Sequence, residues 1–179
     1  MRLFLSVEIP DKVKENLSKA AADLPEQAVT MANPEDYHIT LQFLGEVSEE
    51  DVPAVQSSMS YITQEPFSVG IVGLSYFGPG MRVVFAAVRE GLEELRLIYG
   101  QMSRGLSDNG ISYKADLYYE PHVTVARVKS PDAKDGIMGV VEKYRAHDFG
   151  SFSVGSVLIK ASLPSPEGYV HKTLYEHKL

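Results

Sequence analysis

Apolar and polar positions alternate from the start of the chain. In residues 2–9 (RLFLSVEI), Leu3, Leu5, Val7 and Ile9 fall on one face of a strand. Pro10 and Asp11 then open a helix over 11–23, in which Val13, Leu17, Ala20 and Leu24 recur at a spacing of three to four. A Pro34 turn leads into a strand over 38–44 that Gly45 ends. Ser48 and the acidic run 49–51 start a helix reaching about Ile62. Residues 67–77 and 82–88 read as a hairpin around Gly78-Pro79-Gly80. Leu92, Leu95, Ile98, Met102 and Leu106 mark a helix over 92–106, which Asn109-Gly110 stops. A tyrosine-rich loop follows, then a strand over 122–128, a helix over 134–144 and late strands over 149–160 and 169–179, joined by a loop at 164–168. The hairpins argue against an all-parallel sheet, so the pattern predicts an α+β fold with antiparallel sheets. No linker is long enough to divide the 179 residues, which suit one domain.

Two of these strands begin alike. His38-Ile39-Thr40-Leu41-Gln42-Phe43 and His122-Val123-Thr124-Val125-Ala126-Arg127 are both H-x-T-aliphatic, each after a proline-containing turn. Residues i and i+2 of a strand share a face. Each His therefore stands beside its Thr, while Ile39, Leu41, Val123 and Val125 point into a core. With only five His and five Thr in the chain, far fewer than one H-x-T is expected by chance. A third, His171-Lys172-Thr173, has a charged middle residue and no proline before it, and is expected to lie outside the site.

Two imidazoles and two hydroxyls around one cleft suit phosphoryl transfer. A neutral imidazole takes a proton from the nucleophile and an imidazolium gives one to the leaving oxygen. The hydroxyls donate to the phosphate oxygens.

Composition narrows the rest. Cysteine is absent, which excludes disulfides, thiolate catalysis and thiolate metal sites, and fits either a cytoplasmic location or a source that avoids labile residues. No long apolar run predicts a membrane span. The net charge of −7 lies entirely in residues 1–90, with six Lys/Arg against 13 Asp/Glu; residues 91–179 carry 11 of each. That balance speaks against a broad nucleic-acid track and for a local grip on an end. No HExxH or clustered ligand set suggests a metal hydrolase.

HITLQFLGEV and EPHVTVARVK resemble the two motifs of the two-histidine phosphoesterase superfamily, and in particular its RNA 2′,3′-cyclic phosphodiesterases, also called 2′-5′ RNA ligases. The opening RLFLSVEIP, the hairpin YFGPGMRVVFAAV and the closing segment from Ser156 extend the resemblance over almost the whole chain. It implies a single bilobal domain over 1–179, with two pseudo-symmetric lobes flanking a cleft, helices outside and one motif per lobe. It implies that a terminal 2′,3′-cyclic phosphate is opened to a 2′-phosphate, with His38 protonating O3′, His122 activating water and Thr40 and Thr124 holding the phosphate. It also implies the reverse 2′-5′ joining, no metal and no cofactor. The expected partner is RNA with a cyclic phosphate end, such as a tRNA half, or a small cyclic nucleotide such as ADP-ribose cyclic phosphate. A monomer is expected. The family often has an aromatic near Met31-Ala32-Asn33, where this chain has none.

Further candidates are weaker. Gln42 shares parity with His38 and Thr40 and is expected to line the cleft. Arg127 falls on the opposite face from His122 unless a bulge intervenes. Tyr76, Phe77, Tyr118 and Tyr119 are candidates to stack a base, and Glu120 to orient an imidazole. His147 and His177 read as surface residues. The alternative from another class is a non-catalytic module that binds RNA ends.

Overall fold

The computed structural model describes residues 1–166 and 168–179. In chain order the elements are β1 (Arg2–Glu8), α1 (Asp11–Ala21), β2 (Val29–Met31), β3 (His38–Glu46), α2 (Val52–Ser58), β4 (Phe67–Phe77), β5 (Val83–Glu90), α3 (Leu92–Asp108), β6 (His122–Val128), α4 (Lys134–Lys143), β7 (Asp148–Val154), β8 (Ser156–Ser165) and β9 (Gly168–Lys178). Short 3₁₀ turns occupy Pro34–Asp36, Met59–Tyr61 and Pro131–Ala133.

The strands form two antiparallel sheets, ordered β3-β1-β8-β9 and β2-β6-β5-β4-β7. The first joins the two ends of the chain and carries His38; the second carries His122. Helix α3 packs against β3 and α2 against α3, while α1 lies against β6 and β7 and α4 against β4. Leu3, Leu5 and Val7 of β1, Ile39 and Leu41 of β3, and Val123 and Val125 of β6 are at most 1% exposed in the core beneath the helices. This leaves the opposite faces of β3 and β6 for a cleft. The α2–α3 contact needs Gly105: a Cβ there would lie 2.6 Å from the Ser58 carbonyl oxygen.

The architecture is the α+β one expected, with three local departures. The expected strand over 149–160 is two strands in different sheets. The chain passes from β7 to β8 at Gly155, between buried Val154 and Val157. The expected helix over 48–62 is shorter. Ser48 caps a preceding turn, its Oγ accepting from the Asp51 amide at 3.1 Å, and the last turn tightens to 3₁₀. Strand β2, only three residues long, is held by pairing with β6 rather than by any pattern of its own. In the expected loop at 164–168, residue 167 lies outside the described residues.

Candidate active site

Both motif strands carry a bulge at the same place. Along β3 and β1, Thr40 faces Ser6 and Gln42 faces Leu5, so Leu41 has no partner. Along β6 and β5, Thr124 faces Phe85 and Ala126 faces Val84, so Val125 has none. An extra residue in one strand reverses the alternation beyond it. Leu41 and Gln42 are therefore consecutive buried residues, as are Val125 and Ala126. Phe43 and Arg127 emerge on the face that holds the His and Thr residues.

That face is one wall of a cleft of about 680 Å³, which brings together His38, Thr40, His122 and Thr124. Arg127 lines it too, and the reading of strict alternation is corrected by the bulge. Gln42 is corrected in the other direction. It is 4% exposed, its Nε2 donates to Ser103 Oγ at 3.4 Å on α3, and it lines not this cleft but a separate small cavity that Thr40, Phe43 and His122 also border. Its Oε1 has no hydrogen-bond partner among the described residues.

The two imidazoles are oriented alike. His38 Nδ1 lies 2.6 Å from the Asp36 carbonyl oxygen, and His122 Nδ1 lies 2.7 Å from that of Glu120. A carbonyl only accepts, so each Nδ1 carries hydrogen and each Nε2 is left for the cleft. The Asp36 carbonyl is set by the 3₁₀ turn that Asn33 caps, its side chain accepting from the Glu35 amide at 3.1 Å. On the β3 side Nε2 lies 2.9 Å from the Thr40 hydroxyl, accepting from it when the ring is neutral and donating to it when the ring is charged. On the β6 side Nε2 of His122 has no protein partner among the described residues. Burial pushes both imidazoles below the ordinary histidine value, and the Nδ1–H bond to backbone partly offsets this in each.

Aromatic rings fix the imidazole planes. Phe4 lies 5.1 Å from the His38 ring, and Phe77 meets the His122 ring edge-on at 4.7 Å while stacking on Phe85 at 4.0 Å. Phe77 is thus a wall of His122. Tyr119 is not an open platform either. It stacks on Tyr99 at 4.5 Å, and its hydroxyl donates to the Thr40 carbonyl oxygen at 3.0 Å, tying the loop before β6 to β3. Burial pushes its phenol well above the ordinary value. Tyr118 is 89% exposed, and Tyr76 is exposed at the start of the β4–β5 hairpin tip; neither lines the cleft. Glu120 acts through its carbonyl oxygen.

His171 does line the cleft, contrary to expectation. Its ring meets that of His38 edge-on, with centroids 5.6 Å apart. Lys172 and Thr173 are exposed, but Leu174 packs against the core, because the β8–β9 register shifts between Ile159 and Lys160. Sequence reasoning also missed Phe4 and Phe43. Phe4 was detectable as a large apolar residue on the polar face of β1; Phe43 was hidden by the bulge. His147 and His177 lie outside the cleft. Among the described residues no three His, Cys, Asp or Glu side chains group as metal ligands, and no helix is long and apolar enough to cross a membrane.

Two antiparallel sheets that each bring an imidazole and a hydroxyl to one cleft define a two-histidine phosphoesterase. Comparison with known proteins agrees. The LigT-like phosphoesterase family model matches residues 7–85. The chain is 33% identical to an RNA 2′,3′-cyclic phosphodiesterase of Archaeoglobus fulgidus, over 97% of this chain and 98% of that one. It is 30% identical to the protein of the same name from Methanocaldococcus jannaschii, over 98% and 99%. A crystal structure of a Thermus thermophilus protein superposes with a TM-score of 0.82 at 26% identity, covering 100% and 98% of the two chains. Escherichia coli LigT complexed with ATP shares the fold, with a TM-score of 0.80 at 22% identity, over 99% and 97%. The chain belongs to the LigT-like phosphoesterase family.

Proposed function

We propose that this enzyme opens the 2′,3′-cyclic phosphate at the end of an RNA, leaving a 2′-phosphate and a 3′-hydroxyl, by acid–base catalysis from its two motif histidines without a metal. The observation that carries the reading is the matched pair of imidazoles, each held through Nδ1–H by a backbone carbonyl with Nε2 left for one cleft. His122 Nε2, with no protein partner among the described residues, accepts the proton of the attacking water. The water oxygen bonds to phosphorus, the bond from phosphorus to O3′ breaks, and His38 delivers a proton from Nε2 to O3′. Thr40 and Thr124 donate to the non-bridging oxygens, where charge is carried in the transition state. Two such proton transfers, each worth about 10²–10⁴-fold, supply a large part of the catalysis required.

The same arrangement supports joining. With a 5′-hydroxyl in place of water, His122 takes its proton and the product is a 2′-5′ linkage. The names of the relatives support RNA as substrate, and the two lobes of a single domain, one motif in each, suit a strand end better than a duplex. The deciding experiment supplies a synthetic RNA ending in a 2′,3′-cyclic phosphate, with excess chelator, and identifies the product. Conversion to a 2′-phosphate end supports the reading. Turnover of small cyclic nucleotides alone, binding without turnover, or metal-reversible loss of activity contradicts it.

A further inference from the structure

The proposed reaction uses only part of the cleft. Beyond His38 it continues over β1, β8 and β9, where Arg2, Ser162 and His171 line it. These three form one row: Arg2 is the register partner of Ser162, and Ser162 of His171. Cross-strand partners share a face, about 4.8 Å apart from strand to strand. A guanidinium, a hydroxyl and an imidazole thus stand side by side.

None of their side chains makes a hydrogen bond among the described residues. Among the described residues the Arg2 side chain makes no hydrogen bond or ion pair; its other register partner, Glu46, is instead 3.5 Å from the N-terminal ammonium. Ser162 has no side-chain hydrogen bond among the same residues. His171 Nδ1 is buried without a hydrogen-bond partner, 3.9 Å from Asp36 Oδ1, which leaves Nε2 as the nitrogen for the cleft. Three side chains along one arm of a cleft, none of them hydrogen-bonded among the described residues, make a place for an anion beside the single Asp36 carboxylate.

The charge of the cleft agrees. A chain of net charge −7 lines it with two arginines, Arg2 and Arg127, against one carboxylate, Asp36. The row also adjoins the reacting position, since the His171 and His38 rings are 5.6 Å apart. Along β1 the row lies four residues from Ser6, the partner of Thr40, with Phe4 between them on the same face.

We propose that Arg2, Ser162 and His171 bind the phosphodiester that joins the terminal nucleotide to the one before it. The row then selects RNA ends over free cyclic mononucleotides, which have no second phosphate. This rests on the cyclic phosphodiesterase reading above.

The test compares two dinucleotides that both end in a 2′,3′-cyclic phosphate, one with an ordinary phosphodiester linkage and one with an uncharged methylphosphonate in its place. The wild-type enzyme is expected to turn over the charged dinucleotide with a kcat/KM about tenfold or more above the neutral one, the worth of one charge-assisted contact. Arg2→Met and Ser162→Ala should each shrink that ratio, Arg2→Met to near one. Because the readout is a ratio, a general loss of activity in a variant cancels. A wild-type ratio near one, or a ratio that Arg2→Met leaves unchanged, overturns the proposal while cleavage of both dinucleotides leaves the reaction standing. If the wild-type enzyme cleaves neither dinucleotide nor 2′,3′-cyclic AMP, the reaction itself is overturned and this inference with it.

Discussion

Leu41 and Val125 are the fourth residues of their motifs, and each is left without a partner in its ladder. The shared bulge sends the residue two places on, Phe43 in one strand and Arg127 in the other, back to the face of the histidines. The two motifs therefore deliver three cleft positions each, not two. The third differs: an aromatic ring on the His38 side and a guanidinium on the His122 side.

Arg127 makes no ion pair among the described residues, so its charge is available to the substrate. Replacing it with Met keeps the stem and removes the charge. Steady-state kinetics should show kcat/KM for a cyclic-phosphate RNA end falling by about tenfold or more, the worth of a charge-assisted bond to phosphate. Thermal melting should be unchanged. An unaltered kcat/KM would return Arg127 to the role of a surface residue.

His38→Ala and His122→Ala should each lower turnover by about 10²–10⁴-fold. Both side chains are only partly buried, at the cleft wall, so circular dichroism should report an intact fold. The double variant should lose much less than the product of the two single losses, because acid and base act in one step.

Much of this was legible in the sequence, and the failures share a cause. The alternation in β1, β3 and β6 and the duplicated H-x-T placed the core face and the four central residues. The same alternation misplaced Gln42 and Arg127, because a bulge is a property of the pair of strands and leaves no mark in one strand's pattern. The β8–β9 register shift that turns Leu174 toward the core is equally invisible in one strand's pattern. His171 reaches the cleft because β9 adds to the sheet that contains β1, a long-range pairing invisible in local sequence. Gly155 looked like one residue inside a strand, but it is the point where the chain changes sheets.

Tyr119 links the two sides of the site, and Tyr119→Phe removes only its hydroxyl. The Thr40 carbonyl then loses its donor, which costs about 1 kcal/mol. Differential scanning calorimetry should show a Tm lower by about 2–4 °C for a chain of this size. A larger effect on kcat than on stability would show that the bond also fixes the position of Thr40. An unchanged Tm and kcat would remove Tyr119 from the account.

The pH dependence follows from burial. Both imidazoles titrate below their ordinary value of about 6.5, since burial disfavours the charged form. The reaction needs one charged and one neutral ring. The kcat/KM profile, which reports the free enzyme, should therefore be a bell with its maximum below about pH 6.5. Activity is lost toward higher pH as the acid deprotonates, and toward lower pH as the base is protonated. A maximum above about pH 7.5 would contradict the burial seen at both rings.

The central claim is that two histidines act from opposite sides of one phosphorus atom, and the choice of ester bond tests it most directly. The two bridging oxygens of a 2′,3′-cyclic phosphate are chemically alike, so hydrolysis without orientation gives both products. A cleft that sets its acid at O3′ and its base in line behind the water imposes a choice. Phosphorus NMR of the completed reaction on a cyclic-phosphate RNA end should show only the 2′-phosphate. A mixture, or a pure 3′-phosphate, would contradict the placing of His38 at O3′ and His122 at the water.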